Sequence, residues 1–263
     1  MSQSSWLFLM IVFGLAFGSF LNVVICRIDE LETIVNSRSR CPKCKNQLAW
    51  YDLIPFVSFV LLRTKCRYCK EPISWQYPIV ELSTSIILTS AFWYLVVQQG
   101  MSVWAYLPLI ITFGSLIVCL VYDIQTMMLP MEIVLIGAVF TLTSYIVRSD
   151  MLLFIQGLTG ALIMAAIPLL IIIIGKVLFK KDVMGTGDIY LAASIGLMLN
   201  FQLGILAMMF AFIFGGIISL ILILLKRVKL GQYEEIAFGP FLIIGGFVAL
   251  FWGQEFLRIF YII

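Results

Sequence analysis

The run "WLFLMIVFGLAFGSFLNVVI" at residues 6–25 decides the fold class, because no charged side chain interrupts it. An apolar helix of about 20 residues spans the roughly 30 Å hydrocarbon core of a bilayer. A removable signal peptide is the alternative, but no basic segment precedes Trp6 and the apolar run is too long for a signal core. Residues 6–26 are therefore expected to form a first transmembrane helix.

The rest of the chain has the same character, since 62% of its 263 residues are hydrophobic and only 12% are charged. A soluble domain carries roughly twice that share of charge. The apolar segments predict an all-α polytopic membrane protein with about eight transmembrane helices. These segments cover 6–26, 79–97, 103–122, 131–147, 152–175, 189–199, 203–225 and 237–262. The sixth is short, so we expect a half-helix or one arm of a bent pair with the seventh.

Basic residues predict the orientation. Of the 17 lysines and arginines, all but Arg148 and Arg258 lie in the loops 27–78, 176–188 and 226–235. Because loops rich in lysine and arginine stay on the cytoplasmic side, these three loops are expected to be cytoplasmic. With eight helices, both chain termini are then expected on the outer side.

Two aspartates stand beside apolar segments, in "VYDIQTMMLP" at 121–130 and "MGTGDIYL" at 184–191. In the predicted topology Asp123 ends the third helix and Asp188 opens the sixth, both at the cytoplasmic face, so the two could meet. Each acid alone is explained equally well as a helix cap or a headgroup-level residue. As a pair sharing a proton, they would supply the base and the acid that peptide hydrolysis needs.

The composition narrows the protease classes, because the chain contains no histidine. Histidine-dependent serine and cysteine proteases and H-E-x-x-H zinc proteases are thereby excluded. A serine–lysine dyad stays formally open, although the lysines cluster in basic loops away from any convincing serine. Gly185 and Gly187 supply a backbone beside Asp188 that can bend sharply and admit a substrate strand.

Two C-x-x-C pairs, "CPKC" at 41–44 and "CRYC" at 66–69, lie in the first loop. Their spacing is typical of a zinc ribbon, in which two knuckles complete a tetrahedral sulfur shell. Two disulfides are the alternative, disfavoured by the reducing cytoplasm. Four thiolates leave no open coordination position, so the sequence predicts a structural zinc.

Five blocks in order resemble the bacterial type IV prepilin peptidases, which are GxGD-type membrane aspartic proteases. The resemblance rests on "GSFLNVVICR" at 18–27, the cysteine loop at 39–82, the two aspartate blocks and "FGPFLIIGG" at 238–246. It implies leader cleavage of type IV prepilin or pseudopilin precursors at the cytoplasmic face. It also implies N-methylation of the new terminus with S-adenosylmethionine, in the inner membrane of a bacterium and without a nucleic-acid partner.

By this resemblance Asp123 and Asp188 are the catalytic pair, and Gly185 and Gly187 form the active-site turn. The metal ligands implied are Cys41, Cys44, Cys66 and Cys69. Glu81 is a candidate methyltransferase-site residue, with a headgroup-level acid as the alternative.

The expected division is a first transmembrane helix (1–26), a zinc-binding loop with a methyltransferase role (27–78) and a transmembrane protease core (79–263). Within the loop, Thr64 and Gln76 depart from the family pattern, so a peptidase without methyltransferase activity is one alternative. A proton-coupled transporter is the other, because two membrane acids beside a broken helix also suit ion coupling. The chain shows no repeat between its halves, and a transporter gives no reason for the cysteine loop.

Overall fold

A computed structural model of the chain describes residues 3–28, 38–180, 184–225 and 237–261. In these ranges the regular structure is helical, and the only strand-like pairings described are two isolated bridges, Arg40 with Gln47 and Lys65 with Pro72. The helices are α1 (Gln3–Arg27), a 3-10 turn (Trp50–Leu53), α2 (Val57–Leu61), α3 (Gln76–Ala91) with a π-helical continuation (Phe92–Gln98), α4 (Val103–Thr126), α5 (Met131–Arg148), α6 (Met151–Phe179), α7 (Gly187–Leu199), α8 (Phe201–Leu224) and α9 (Gly239–Tyr261).

Seven of the described helices are long and apolar enough to cross a membrane, which confirms an all-α, multi-pass protein. The sixth predicted segment is α7, whose 13 residues make it the exception. At 1.5 Å per residue it is about 20 Å long, too short for a hydrocarbon core of about 30 Å. Asn200, with φ 76° and ψ 177°, separates α7 from α8, and its side chain accepts a hydrogen bond from the Leu203 N–H at 3.2 Å.

The chain divides into two compact units, residues 1–106 and 107–263. In the first unit, α1 packs closely on α3 because two glycines face it. A Cβ on Gly14 would lie 2.6 Å from the Ser85 Cα, and one on Gly18 would lie 2.7 Å from the Glu81 Cα. Small residues spaced in this way let membrane helices approach at backbone distance. The functional boundary expected at residue 78 stays a prediction.

In the second unit, α7 is the central helix and contacts α5, α6, α8 and α9. Leu191, Ala192 and Ile195 are completely buried there. The helices α6 and α7 touch through their backbones, since a Cβ on Gly160 would collide with the Gly196 carbonyl oxygen. A helix that does not span the bilayer is tolerated at membrane depth when other helices enclose it, because the unpaired backbone groups at its ends are then buried in protein.

Because α7 is shorter than α6, the start of α7 does not reach the level of the end of α6. The helices run antiparallel, since Gly157 lies against the Leu197 carbonyl and Gly196 against the Met164 side chain. From the Gly160–Gly196 crossing, α6 continues to Phe179, whereas α7 reaches back only to Gly187. At 1.5 Å per residue, the first residue of α7 therefore lies about 15 Å short of the end of α6.

Candidate active site and metal centre

Asp123 lies in the last turn of α4 and is only 4% exposed. The backbone N–H of Gly239, the first residue of α9, donates a hydrogen bond to its carboxylate. Pro240 has no N–H, and the Phe241 N–H is already bonded to the Phe238 carbonyl at 3.0 Å. Gly239 thus supplies the first-turn amide of α9 to the acid, at the positive end of the helix dipole.

Asp188 is the second residue of α7 and is 6% exposed. Its carboxylate accepts a hydrogen bond from the Gly185 N–H, and its own N–H donates to the Gly185 carbonyl at 3.2 Å. The two carboxyl groups lie close enough for the charge of Asp123 to influence Asp188. The structure therefore brings together the two acids that the sequence placed at opposite helix ends.

Leu129 packs against the glycines at both sides of this acid pair. A Cβ on Gly187 would lie 3.2 Å from the Leu129 Cβ, and one on Gly239 would lie 3.3 Å from its Cδ2. On Gly239 the added atom would also collide with the Asp123 Oδ2. A larger residue at Gly239 would therefore displace the carboxylate, whereas one at Gly187 would press on the Leu129 side chain.

Gly239 is the site residue that sequence reasoning missed. Its signal was the block "FGPFLIIGG" at 238–246, in which a glycine precedes a proline at a helix start. That pattern is ordinary for a helix N-terminus, so it does not by itself indicate contact with a distant aspartate.

The four loop cysteines form one cluster, as predicted. Their Sγ atoms all lie within 4.8 Å of one another, and those of Cys41 and Cys69 are 3.9 Å apart. Tetrahedral zinc with Zn–S bonds of about 2.3 Å requires sulfur–sulfur distances of about 3.8 Å. The cluster fits a four-coordinate metal ion.

The two C-x-x-C turns repeat one hydrogen-bond pattern. The Lys45 N–H donates to the Cys41 carbonyl at 2.9 Å, and the Lys70 N–H donates to the Cys66 carbonyl at 3.0 Å. Lys45 and Lys70 both adopt the left-handed conformation, with φ of 60° and 62°. The second half of each turn thus reverses the chain, so both thiols of a pair face the same point.

The thiols differ in acidity. Burial raises the pKa of Cys41, but hydrogen bonds from the N–H groups of Cys44 and Lys43 outweigh it and lower this pKa to about 7. For Cys69, the Glu71 N–H lowers the pKa, while burial and the other thiols raise it more strongly, to about 11. A bound cation would favour the thiolate at every position.

Asp52 ties the 3-10 turn to the second cysteine pair, a role that sequence reasoning also missed. Its nearly buried carboxylate accepts a hydrogen bond from the Arg67 Nε at 2.8 Å and from the Tyr68 hydroxyl at 3.3 Å. The bond with Asp52 raises the pKa of Arg67. The Arg67 guanidinium also lies 4.9 Å from the Tyr51 ring centroid, a cation–π distance.

Glu81, the candidate methyltransferase residue, is buried in the first unit and already has a backbone partner. Its Oε2 accepts a hydrogen bond from the Phe56 N–H at 2.7 Å. Phe56 has a φ of 59°, a conformation that costs energy for a bulky residue. Glu81 therefore holds the cysteine loop in place, and its role in methyl transfer stays a prediction.

Comparison with known protein families finds a match in each half of the chain. Residues 12–95 match the Bacterial Peptidase A24 N-terminal domain, and residues 110–220 match the Type IV leader peptidase family. No solved structure matches the chain.

Three similar proteins carry the name prepilin leader peptidase/N-methyltransferase. The one from Aeromonas salmonicida is 30% identical over 96% of this chain and 94% of its own length. The one from Bacillus subtilis is 30% identical over 97% of each chain. The one from Myxococcus xanthus is 32% identical over 81% of this chain, which spans only 62% of that longer protein. From these matches along nearly its whole length, the chain belongs to the type IV leader peptidase family.

Proposed function

We propose that this protein is an aspartic endopeptidase of the bacterial inner membrane that cleaves the leader of type IV prepilin or pseudopilin precursors and methylates the new N-terminus. The observation that carries this proposal is a buried pair of acids in a chain of the leader peptidase family. Asp123, at the end of α4, is bonded to the first residue of α9, and Asp188 lies at the start of α7.

The proposed hydrolysis needs one ionised and one protonated carboxyl group. Two neighbouring carboxyl groups in a buried site hold one proton between them. The ionised group removes a proton from a water molecule, and this water attacks the scissile carbonyl. The protonated group polarises that carbonyl. The proton then passes to the leaving amine as the C–N bond breaks.

Substrate binding is proposed to combine a bilayer-embedded helix with an extended cleavage junction. Large apolar side chains stay exposed next to the two acids: Ile124, Met127, Met128 and Tyr190. An apolar helix following the cleavage junction could contact them within the membrane. The Gly185–Gly187 turn would leave room for the junction itself.

The loop is proposed to carry a structural zinc ion held by Cys41, Cys44, Cys66 and Cys69. Such an ion supplies a cross-link between the two cysteine turns and keeps no open position for catalysis. S-adenosylmethionine is the proposed methyl donor. We further propose that the cysteine loop and the acids face the cytoplasm, with the N-terminus outside, as the lysine and arginine distribution predicts.

The decisive experiment is mass spectrometry of a prepilin-like precursor incubated with the detergent-purified full chain and S-adenosylmethionine. We expect a shortened product with one added methyl group, and no cleavage by Asp123→Asn or Asp188→Asn. The matched control is Asp150→Asn, because Asp150 caps α6 through the Leu153 N–H and asparagine caps equally well.

The other outcomes separate the alternatives. A shortened, unmethylated product would support a peptidase without methyltransferase activity. Equal absence of cleavage by the wild type and the Asp188→Asn variant would contradict the proposal and favour the transporter, because detergent solution supports hydrolysis but no ion gradient.

A further inference from the structure

The segment Trp50–Leu61 carries an apolar surface outside the seven candidate membrane spans. Trp50 and Leu61 are 78% and 76% exposed, and Val57 and Val60 are exposed beside them. A soluble loop seldom leaves so many large apolar side chains together in water. The surface therefore requires a covering partner.

The depth of this segment follows from the hydrogen bond between Phe56 and Glu81. Glu81 belongs to the candidate span Gln76–Gln98, in which it is the sixth residue. At 1.5 Å per residue it lies about 7.5 Å along the helix from Gln76. A span of 23 residues is about 35 Å long and exceeds the roughly 30 Å hydrocarbon core by little. If this span fills the hydrocarbon core, the Phe56 backbone is expected near the boundary between headgroups and acyl chains.

The short helix α2 has two faces. Phe59 is buried, and its ring centroid lies 5.1 Å from that of Trp75, whereas Val57, Val60 and Leu61 point away from this contact and are exposed. The outer face of α2 is therefore apolar.

Basic residues follow this apolar face directly. Arg63 and Thr64 adopt left-handed conformations, with φ of 50° and 63°, and turn the chain after α2. Arg63 and Lys65 are exposed at this turn. An apolar face bordered by aromatic and basic residues has the composition of segments that lie at a membrane surface, where lysine and arginine meet lipid phosphates.

We propose that Trp50–Leu61 is a membrane-interface anchor, seated in the bilayer at the boundary between headgroups and acyl chains. Trp50, Val57, Val60 and Leu61 contact the lipid, and Arg63 and Lys65 contact lipid phosphates. The cysteine cluster is then held against the membrane surface rather than suspended in water. This inference does not depend on the proposed peptidase activity.

The test is photo-crosslinking of the wild-type full chain in vesicles of phosphatidylethanolamine and phosphatidylglycerol whose acyl chains carry a diazirine. Peptide mapping by mass spectrometry should find lipid adducts within Trp50–Leu61. Exposed apolar residues of the candidate span α6, such as Leu162 and Val177, serve as the internal positive control. Adducts on α6 with none on Trp50–Leu61 would overturn the proposal.

A variant pair adds an independent readout. The double substitution Val60→Asp and Leu61→Asp should remove most adducts from this segment while those on α6 keep their wild-type yield. Gln47→Asp, an exposed position just after the first cysteine turn, is the control and should leave the adduct yields on both Trp50–Leu61 and α6 unchanged. Wild-type adduct yield on the segment in the double variant would contradict the anchor, because charged side chains avoid acyl chains.

Discussion

At the carboxylate of Asp123, the smallest informative change is one methyl group on Gly239. Gly239→Ala introduces a Cβ that collides with the Asp123 Oδ2 and so displaces the acid from the Gly239 N–H. A misplacement of about 1 Å in a catalytic group can slow a reaction roughly 100-fold. We expect a loss of that order in kcat for leader cleavage with KM nearly unchanged, measured on the purified protein.

The matched control for this prediction is Gly216→Ala in α8, because a Cβ there would meet no atom within 4 Å. It should cleave at the wild-type rate. Wild-type kcat in Gly239→Ala would show that Asp123 tolerates displacement and would remove Gly239 from the site. The thermal midpoint of both variants separates a local shift of the acid from loss of the fold.

At the scale of elements, the two cysteine turns depend on each other because neither supplies four ligands. We expect one equivalent of zinc in the purified protein by atomic emission spectroscopy, and loss of most of it in Cys66→Ser. Since structural zinc sites contribute folding free energy directly, protease cleavage within residues 38–75 should accelerate in that variant.

The control for metal loss is Cys26→Ser, which removes an exposed thiol outside the cluster and should keep the zinc. A full equivalent of zinc in Cys66→Ser would contradict a four-thiolate site. Unchanged proteolysis after zinc loss would show that hydrogen bonds such as that between Asp52 and Arg67 hold the loop without the metal.

At the scale of the whole molecule, the charge distribution predicts which loops face the cytoplasm. Ser149→Cys lies in the exposed turn between α5 and α6, whereas Gln232→Cys falls in a basic loop outside the described residues. An impermeant maleimide should label Ser149→Cys in intact cells and Gln232→Cys only in inverted vesicles, above the wild-type background. The reversed pattern would contradict the orientation proposed for the acid pair.

The short α7 is the whole-molecule feature that gives the acid pair its position. Because α7 starts about 15 Å short of the end of α6, Asp188 is recessed among helices rather than placed at the protein surface. Burial of this kind strengthens electrostatic interactions and excludes bulk water.

Hydropathy, charge and cysteine spacing are local properties, so they were sufficient to predict the apolar segments, the all-α membrane class and the four-cysteine cluster. The short sixth segment was also recognisable, because helix length follows directly from residue count. Because successive helices cross the membrane in alternating directions, the sequence predicted that Asp123 and Asp188 lie on the same side of the membrane. It did not predict that they interact.

Only the tertiary structure brought Gly239 to Asp123 and Phe56 to Glu81, because each contact joins segments distant in the chain. Glycine before proline reads as an ordinary helix start, and a glutamate in an apolar helix reads as a headgroup-level acid. What each residue contacts depends on which helices pack together. That choice depends on how closely the helix surfaces fit, as in the backbone contact of Gly160 with Gly196, and no periodicity in the sequence encodes this fit.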